Sequence, residues 1–82
     1  QLQSDVKIKL EKYQNQKHSR DLSYDIYDRT LEKYRQGMAT SMDLMNSQNQ
    51  YLTNLTNYYQ YMFDLQGAIT KLEKLFNINQ IQ

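Results

Sequence analysis

Residues 34–43, Tyr-Arg-Gln-Gly-Met-Ala-Thr-Ser-Met-Asp, decide the fold, because they hold the one clear break in a chain that otherwise favours helix. Gly37 suits the left-handed backbone conformation that commonly follows a helix end. Arg35 lies in the last turn of the first helix, where the negative end of the helix dipole favours a cation. Thr40 followed three residues later by Asp43 is typical of a helix start, with a short acceptor at the N-cap and an acid in the first turn. The stretch therefore predicts that one helix ends and another begins within it.

Composition supports helix on both sides of this break. The chain has 82 residues, enough for one small domain, with no proline and only two glycines. A short connection between two long helices makes them antiparallel neighbours. We therefore predict an all-α, antiparallel two-helix hairpin (coiled coil) over residues 1–82, with helices at about 3–35 and 41–77 and a turn at 36–40.

Several function classes are disfavoured by the residue types present. The net charge of +1 gives no reason to expect a nucleic-acid partner. The chain has no cysteine, and its single histidine, His18, has no partner for catalysis or metal binding nearby in the sequence. We therefore expect no enzymatic activity, no cofactor and no metal site within one chain.

Residues 44–63 carry no charge and are long enough to span a bilayer. Ten of these twenty residues, however, are Asn, Gln, Ser or Thr, which are costly in hydrocarbon. We expect no membrane span. The chain also starts at Gln1 without a basic-then-apolar leader, which is expected of a mature chain or of a piece of a longer one.

The second predicted helix carries two seams at alternating spacings of three and four residues. The first seam is Leu44, Ser47, Tyr51, Asn54, Tyr58, Tyr61, Leu65, Ala68, Leu72 and Leu75. The second seam is Met45, Gln48, Leu52, Leu55, Tyr59, Met62, Gln66, Ile69, Glu73 and Phe76. An offset of one residue rotates the second seam by about 100° around the helix, and a lone hairpin needs only one seam. The second helix is therefore expected to have a neighbour on two sides and to self-associate. Helices ranked side by side around a wall or tube would satisfy this geometry, and some three- and four-helix bundles would also produce two seams.

The first predicted helix is amphipathic but more polar. Its ladder is Leu10, Tyr13, Lys17, Arg20, Tyr24, Tyr27, Leu31 and Tyr34, in which two cations interrupt the apolar rungs.

From Tyr34 to Leu52, and on through Tyr58, Tyr59 and the Leu65–Leu75 segment, the chain resembles the outer-membrane efflux proteins of the TolC family. The shared features are a tyrosine, a glycine three residues on, a small hydroxylated residue, an acidic and aliphatic stretch, and a long helix with regular Tyr and Leu. The resemblance covers about residues 20–77. It implies a hairpin from the C-terminal half of a larger outer-membrane channel, lining the α-helical tunnel in the periplasm of a Gram-negative bacterium.

What the resemblance implies extends to partners. The full-length protein would be a homotrimer, its hairpin tip would meet a periplasmic adaptor (membrane fusion) protein, and an inner-membrane transporter would take part indirectly, in efflux or type I secretion. The matching tip positions are Gln36, Gly37, Met38, Ala39, Thr40 and Ser41.

The same resemblance places the channel mouth or gate at Tyr34, Asp43 and Asn46. Two positions depart from family members that have a pair of carboxylates and a basic turn residue, because Asn46 replaces the second carboxylate and Ala39 the basic residue. A salt-bridge lock is therefore not expected. Asp43 remains open to two interpretations: a solvent-facing acid at a helix start, or one member of a three-protomer ring that attracts cations.

Two other functions compete with the channel wall. A generic coiled-coil interaction module would also produce a hairpin, although such modules usually flank their seam with Glu and Lys. An amphipathic membrane-surface protein fits least, since residues 36–70 contain no Lys or Arg to bind anionic lipid. The glycine turn favours the channel wall, and so does the polar stripe of the second helix, which carries no charge between residues 46 and 60. This polar stripe is Asn46, Gln50, Thr53, Asn57, Gln60, Asp64, Gly67, Lys71 and Lys74.

Overall fold

The computed structural model describes the backbone of residues 2–81 and the side chains of residues 4–76. Within that part of the chain, helix α1 spans Leu2–Arg35 and helix α2 spans Ser41–Ile81. The two helices pack against each other as an antiparallel hairpin, a rod of 67 × 14 × 14 Å. The predicted fold is confirmed. α2 continues past its predicted end near residue 77, and the terminal glutamines of the predicted unit, Gln1 and Gln82, lie outside the described residues.

The first seam of α2 faces α1. Ser47, Leu65 and Ala68 on this seam are buried, and the rest of it is half-buried as far as Leu72. Ser23 is the matching buried residue on α1, with 6% of its surface exposed. Serine and alanine at these positions let the two backbones approach closely, so the interior of the hairpin is narrow.

The ladder predicted for α1 is partly wrong. Gln16 and Ser23 face α2, where the prediction put Lys17 and Tyr24. The Tyr24 ring lies at the border, about half exposed, and packs edge-on against Tyr51 at a centroid distance of 5.3 Å. The physical reason is the polar character of α1: its apolar residues are scattered over several stripes, so the fit to α2 decides which stripe turns inward.

Candidate functional site: the hairpin tip

Helix α1 ends in a hydrogen-bonded cap centred on Gly37. The amide of Gly37 donates to the carbonyl oxygen of Tyr34 at 3.0 Å, and the amide of Met38 donates to that of Lys33 at 2.8 Å. Gly37 has φ of +76°. This left-handed conformation allows both hydrogen bonds to form, from residue 38 back to residue 33 and from residue 37 back to residue 34. The predicted role of Gly37 in ending the helix is thus observed.

Helix α2 starts with a reciprocal capping box. The side-chain hydroxyl of Thr40 accepts a hydrogen bond from the amide of Asp43 at 3.0 Å, and the amide of Thr40 donates to Oδ2 of Asp43 at 3.0 Å. The backbone hydrogen bond from Thr40, followed by the Thr40 side chain, lowers the pKa of the Asp43 carboxyl. Asp43 is therefore an ionised, exposed helix cap, which is the first of its two interpretations and leaves the second untested.

The side chains of the tip are largely free of contacts within the hairpin. Met38 is 75% exposed and Met42 is 64% exposed, and of the six predicted tip residues only Ala39 is half-buried. A Cβ atom built on Gly37 meets no other atom within 4 Å. The turn is therefore held by main-chain bonds and one capping box, while most of its side chains point to the outside.

A shallow groove near the tip brings several predicted site residues together. Its lining residues are Ile26, Thr30 and Lys33 on α1, Met38 and Ala39 in the turn, and Asp43, Asn46, Ser47 and Gln50 on α2. The two predicted mouth residues of α2 thus share one surface with two tip residues. Tyr34 is not part of this groove; its side chain is 43% exposed and its carbonyl serves the α1 cap.

The groove also identifies the two edges of the hairpin. On α2, the groove residues Asp43 and Gln50 directly precede the first-seam residues Leu44 and Tyr51. Second-seam residues directly follow the first seam, so they lie on the opposite edge. We call the second-seam residues from position 45 to position 69 the α2 strip: Met45, Gln48, Leu52, Leu55, Tyr59, Met62, Gln66 and Ile69.

The α2 strip is mostly exposed in the isolated hairpin. Met45, Leu52, Tyr59 and Ile69 are between 39% and 55% exposed, and Leu55 and Met62 are half-buried. Contact with α1 therefore covers the first seam and reaches the second only at Leu55 and Met62. The rest of the predicted second seam forms a mainly apolar surface, interrupted by Gln48 and Gln66, that the hairpin itself does not bury.

Halfway along the hairpin, a polar cluster lies between the helices. The Tyr13 and Tyr58 hydroxyls are 3.2 Å apart, and the Arg20 guanidinium lies over the Tyr58 ring at 4.1 Å. The Gln16 amide donates to both the side-chain and main-chain oxygens of Asn54, at 3.0 and 3.1 Å. The hydrogen bond between the tyrosines raises the pKa of Tyr13 and lowers that of Tyr58.

Sequence reasoning missed this cluster as a unit, although part of the signal was present. Arg20 is a polar rung of the predicted α1 ladder, and Asn54 is a polar rung of the first seam of α2. A polar rung marks a position where the interface between the helices needs hydrogen bonds. The contribution of Gln16 followed only from the rotation of α1. Arg20 also reaches its sequence neighbour Asp21 through Nε and a terminal nitrogen, at 3.0 and 2.8 Å, so its charge is compensated beside the interface.

The described residues form neither a membrane span nor a metal-binding cluster. Across residues 2–81, neither helix combines the length and apolarity that crossing a bilayer requires. In the same described part of the chain, no three His, Cys, Asp or Glu residues are grouped as metal ligands would be. Comparison with known family models, curated proteins and solved structures finds no match.

Proposed function

We propose that the chain is a periplasmic tunnel segment of a trimeric outer-membrane channel in a tripartite efflux or type I secretion system, with its tip contacting the periplasmic adaptor and lining the channel mouth. The proposal rests on the resemblance of residues 34–52 to the TolC family and on the distribution of exposed apolar side chains over the hairpin.

The observation that carries the proposal is the presence of apolar surface on both edges of one hairpin. The α2 strip follows one edge, and on the groove edge Ile26 lies exposed on α1, with Ile8 and Leu22 at helical spacing from it. These three side chains are 42–54% exposed. A hairpin ranked between two neighbours in a tubular wall would cover both edges, whereas a hairpin with a single partner would leave one uncovered.

The tip suits a docking role because the hydrogen bonds that hold the turn do not involve most of the side chains that the turn exposes. Main-chain hydrogen bonds and the Thr40–Asp43 capping box hold the turn. The missing side chain of Gly37 lets another backbone approach closely, and Met38 beside it offers a flexible apolar side chain of the kind found on adaptable binding surfaces. An adaptor hairpin would thus meet the exposed side chain of Met38, which takes no part in the hydrogen bonds that hold the turn.

At the channel mouth, Asp43 would supply charge. An aspartate carboxylate is ionised at neutral pH, and the Thr40 hydrogen bonds lower the pKa of Asp43 further. Three copies around a trimer axis would therefore form a negative ring that attracts cations. Asn46, which lies in the same groove, would add an uncharged amide beside it.

The experiment that tests this function is Gly37→Trp in the full-length channel, with Gly37→Ala as the matched control. Both variants strain the positive φ, but only Trp adds bulk at the tip. We expect Gly37→Trp to abolish export with a nearly normal amount of trimer, and Gly37→Ala to export. Tyr59→Asp should instead reduce the trimer itself, because it puts a charge into the α2 strip. A Gly37→Trp channel that is abundant and exports normally would refute the proposal.

A generic coiled-coil interaction module is the second candidate function. The Gln16–Asn54 hydrogen bonds favour it, because polar residues in a helix interface commonly fix register in coiled coils. Under this function the tip has no partner, and any loss of activity in Gly37→Trp would follow the loss of protein. Measuring export and protein amount together separates the two candidates.

A further inference from the structure

The α2 strip has an internal symmetry that the first seam lacks. In order, its rungs are apolar, polar, four times apolar, polar and apolar, and this pattern is the same when it is read from Ile69 back to Met45. The centre of the pattern is residue 57. An unshifted parallel pair matches any sequence with itself, whereas an antiparallel pair matches only a pattern that reads the same in both directions, so this symmetry favours antiparallel pairing.

We propose that the α2 strip binds the α2 strip of a second copy of this chain, antiparallel, about a two-fold axis near residue 57. Paired rungs then have numbers that add to 114. The resulting layers are Met45 with Ile69, Gln48 with Gln66, Leu52 with Met62, and Leu55 with Tyr59, each formed twice because the interface is isologous.

The matching is specific to this register. A shift by one heptad in either direction places Gln48 against Tyr59 or Leu55 against Gln66, which buries an amide opposite an apolar side chain. In the proposed register the two amides of Gln48 and Gln66 face each other and can hydrogen-bond. A polar layer of this kind is a known means of fixing the register of paired helices.

Charge does not oppose the pairing of two α2 strips. The α2 strip contains no ionisable group other than the Tyr59 phenol, so no ionised side chain is taken out of water when two strips meet.

The available area is sufficient for a specific dimer. From Met45 to Ile69 the strip is about 36 Å long at 1.5 Å per residue, and the hairpin is 14 Å wide. The footprint is therefore about 500 Å² per copy and about 1,000 Å² for the pair, which meets the lower limit for a specific interface.

The α1 helices close the assembly. Tyr24 directly follows buried Ser23 on α1, as Gln48 follows buried Ser47 on α2, so Tyr24 lies on the same edge as the α2 strip. Joining two hairpins through this edge places the two α1 helices side by side and gives a four-helix bundle with the tips at opposite ends. This inference concerns the 82-residue chain by itself and does not rest on the proposed function. In the proposed channel the same strip would meet a neighbouring hairpin whose tip lies at the same end, so the two arrangements exclude each other.

Engineered cysteines test the register, since the chain has no thiol of its own. We expect an oxidised mixture of Gln48→Cys and Gln66→Cys chains to form a disulfide-linked heterodimer. Gln48→Cys alone should not crosslink, because its two copies lie about 27 Å apart along the antiparallel pair, far beyond the reach of a disulfide. The matched control is a mixture of Gln50→Cys and Asp64→Cys, whose numbers also add to 114 but which lie on the polar stripe; it should not crosslink.

Each outcome decides. Rapid crosslinking of Gln48→Cys alone would show parallel pairing and overturn the proposal, and so would a Gln48/Gln66 mixture that crosslinks no faster than the control mixture.

Independently, sedimentation of the unmodified chain at micromolar concentration should show a dimer. Leu52→Lys should raise the dimer dissociation constant by about 100-fold or more, while Thr53→Lys on the neighbouring polar face should leave it within a few fold. A folded monomer in the unmodified chain, with helix content checked by circular dichroism, would also overturn the proposal.

Discussion

The two glycines of this chain should respond in opposite directions to one and the same substitution. Gly37 has φ of +76°, whereas Gly67 lies inside α2 with no positive φ. A Cβ atom at either position meets no other atom within 4 Å, so steric contact contributes nothing and the backbone conformation alone decides the sign. Replacing both residues by alanine in separate variants therefore isolates the effect of φ.

The expected magnitudes follow from the two conformations. At Gly37, alanine must adopt the left-handed region at a cost of about 1–2 kcal/mol, partly offset by a gain of about 0.4–1 kcal/mol from the less flexible unfolded chain. At Gly67, alanine should stabilise the helix by about 0.5–1 kcal/mol. The free energies of unfolding of the two variants should then differ by about 1.5 kcal/mol, or roughly 6–12 °C in Tm for a chain of this size.

The assay is thermal and urea unfolding followed by circular dichroism at 222 nm, at one fixed protein concentration because pairing of chains would also shift Tm. Gly37→Asn is a useful third variant, because asparagine tolerates the left-handed conformation and should cost less than alanine. A Gly37→Ala protein as stable as Gly67→Ala would refute the reasoning, since it would mean that the left-handed cap does not hold the turn.

Three further predictions concern the capping box and the interior. Thr40→Ala should lower the free energy of unfolding by about 1 kcal/mol in urea titrations, whereas Ser41→Ala, which removes no cap bond, should change it little. The folded-state pKa of Asp43 lies below its unfolded value, so its contribution to stability is present above about pH 4 and is lost as pH falls through the lowered folded-state pKa; Asp43→Asn should flatten this part of a Tm-versus-pH profile. Leu65→Ala should cost about 2–5 kcal/mol because Leu65 is 9% exposed, and the same assay should show less than about 1 kcal/mol for Phe63→Ala, which is 65% exposed.

The polar cluster in the middle of the hairpin bears on how the two helices find their alignment. Gln16 and Asn54 satisfy each other only at one axial position, and Arg20 reaches the Tyr58 ring only with α1 in its observed rotation. Apart from the Tyr24–Tyr51 ring contact, the described interior offers little else to fix alignment. Ser23, Ser47 and Ala68 are small, and Leu65 is the one large apolar residue that is buried there. Hydrogen bonds and one cation–π contact thus select a register that apolar contacts alone would leave loosely defined.

The sequence alone determined the helical hairpin and its turn. The absence of proline removes helix breakers, Gly37 provides the left-handed residue that ends α1, and the Thr40–Asp43 pair satisfies the first free amides of α2. These are local effects of the backbone, so they can be predicted from residue types and spacing. The two seams of α2 were also predictable, because apolar residues recur there at three- and four-residue spacing despite a few polar rungs.

Only the tertiary structure decided which faces meet. On α1 the competing stripes have similar apolar content, and packing against the narrow first seam of α2 selected Gln16 and Ser23 over Lys17 and Tyr24. It also decided that the α2 strip stays uncovered and that Met38, Ala39, Asp43 and Asn46 share one groove while Tyr34 lies outside it. The physical reason is that such choices depend on the relative rotation of two helices, which no single helix encodes and which is set by how their side chains fit together.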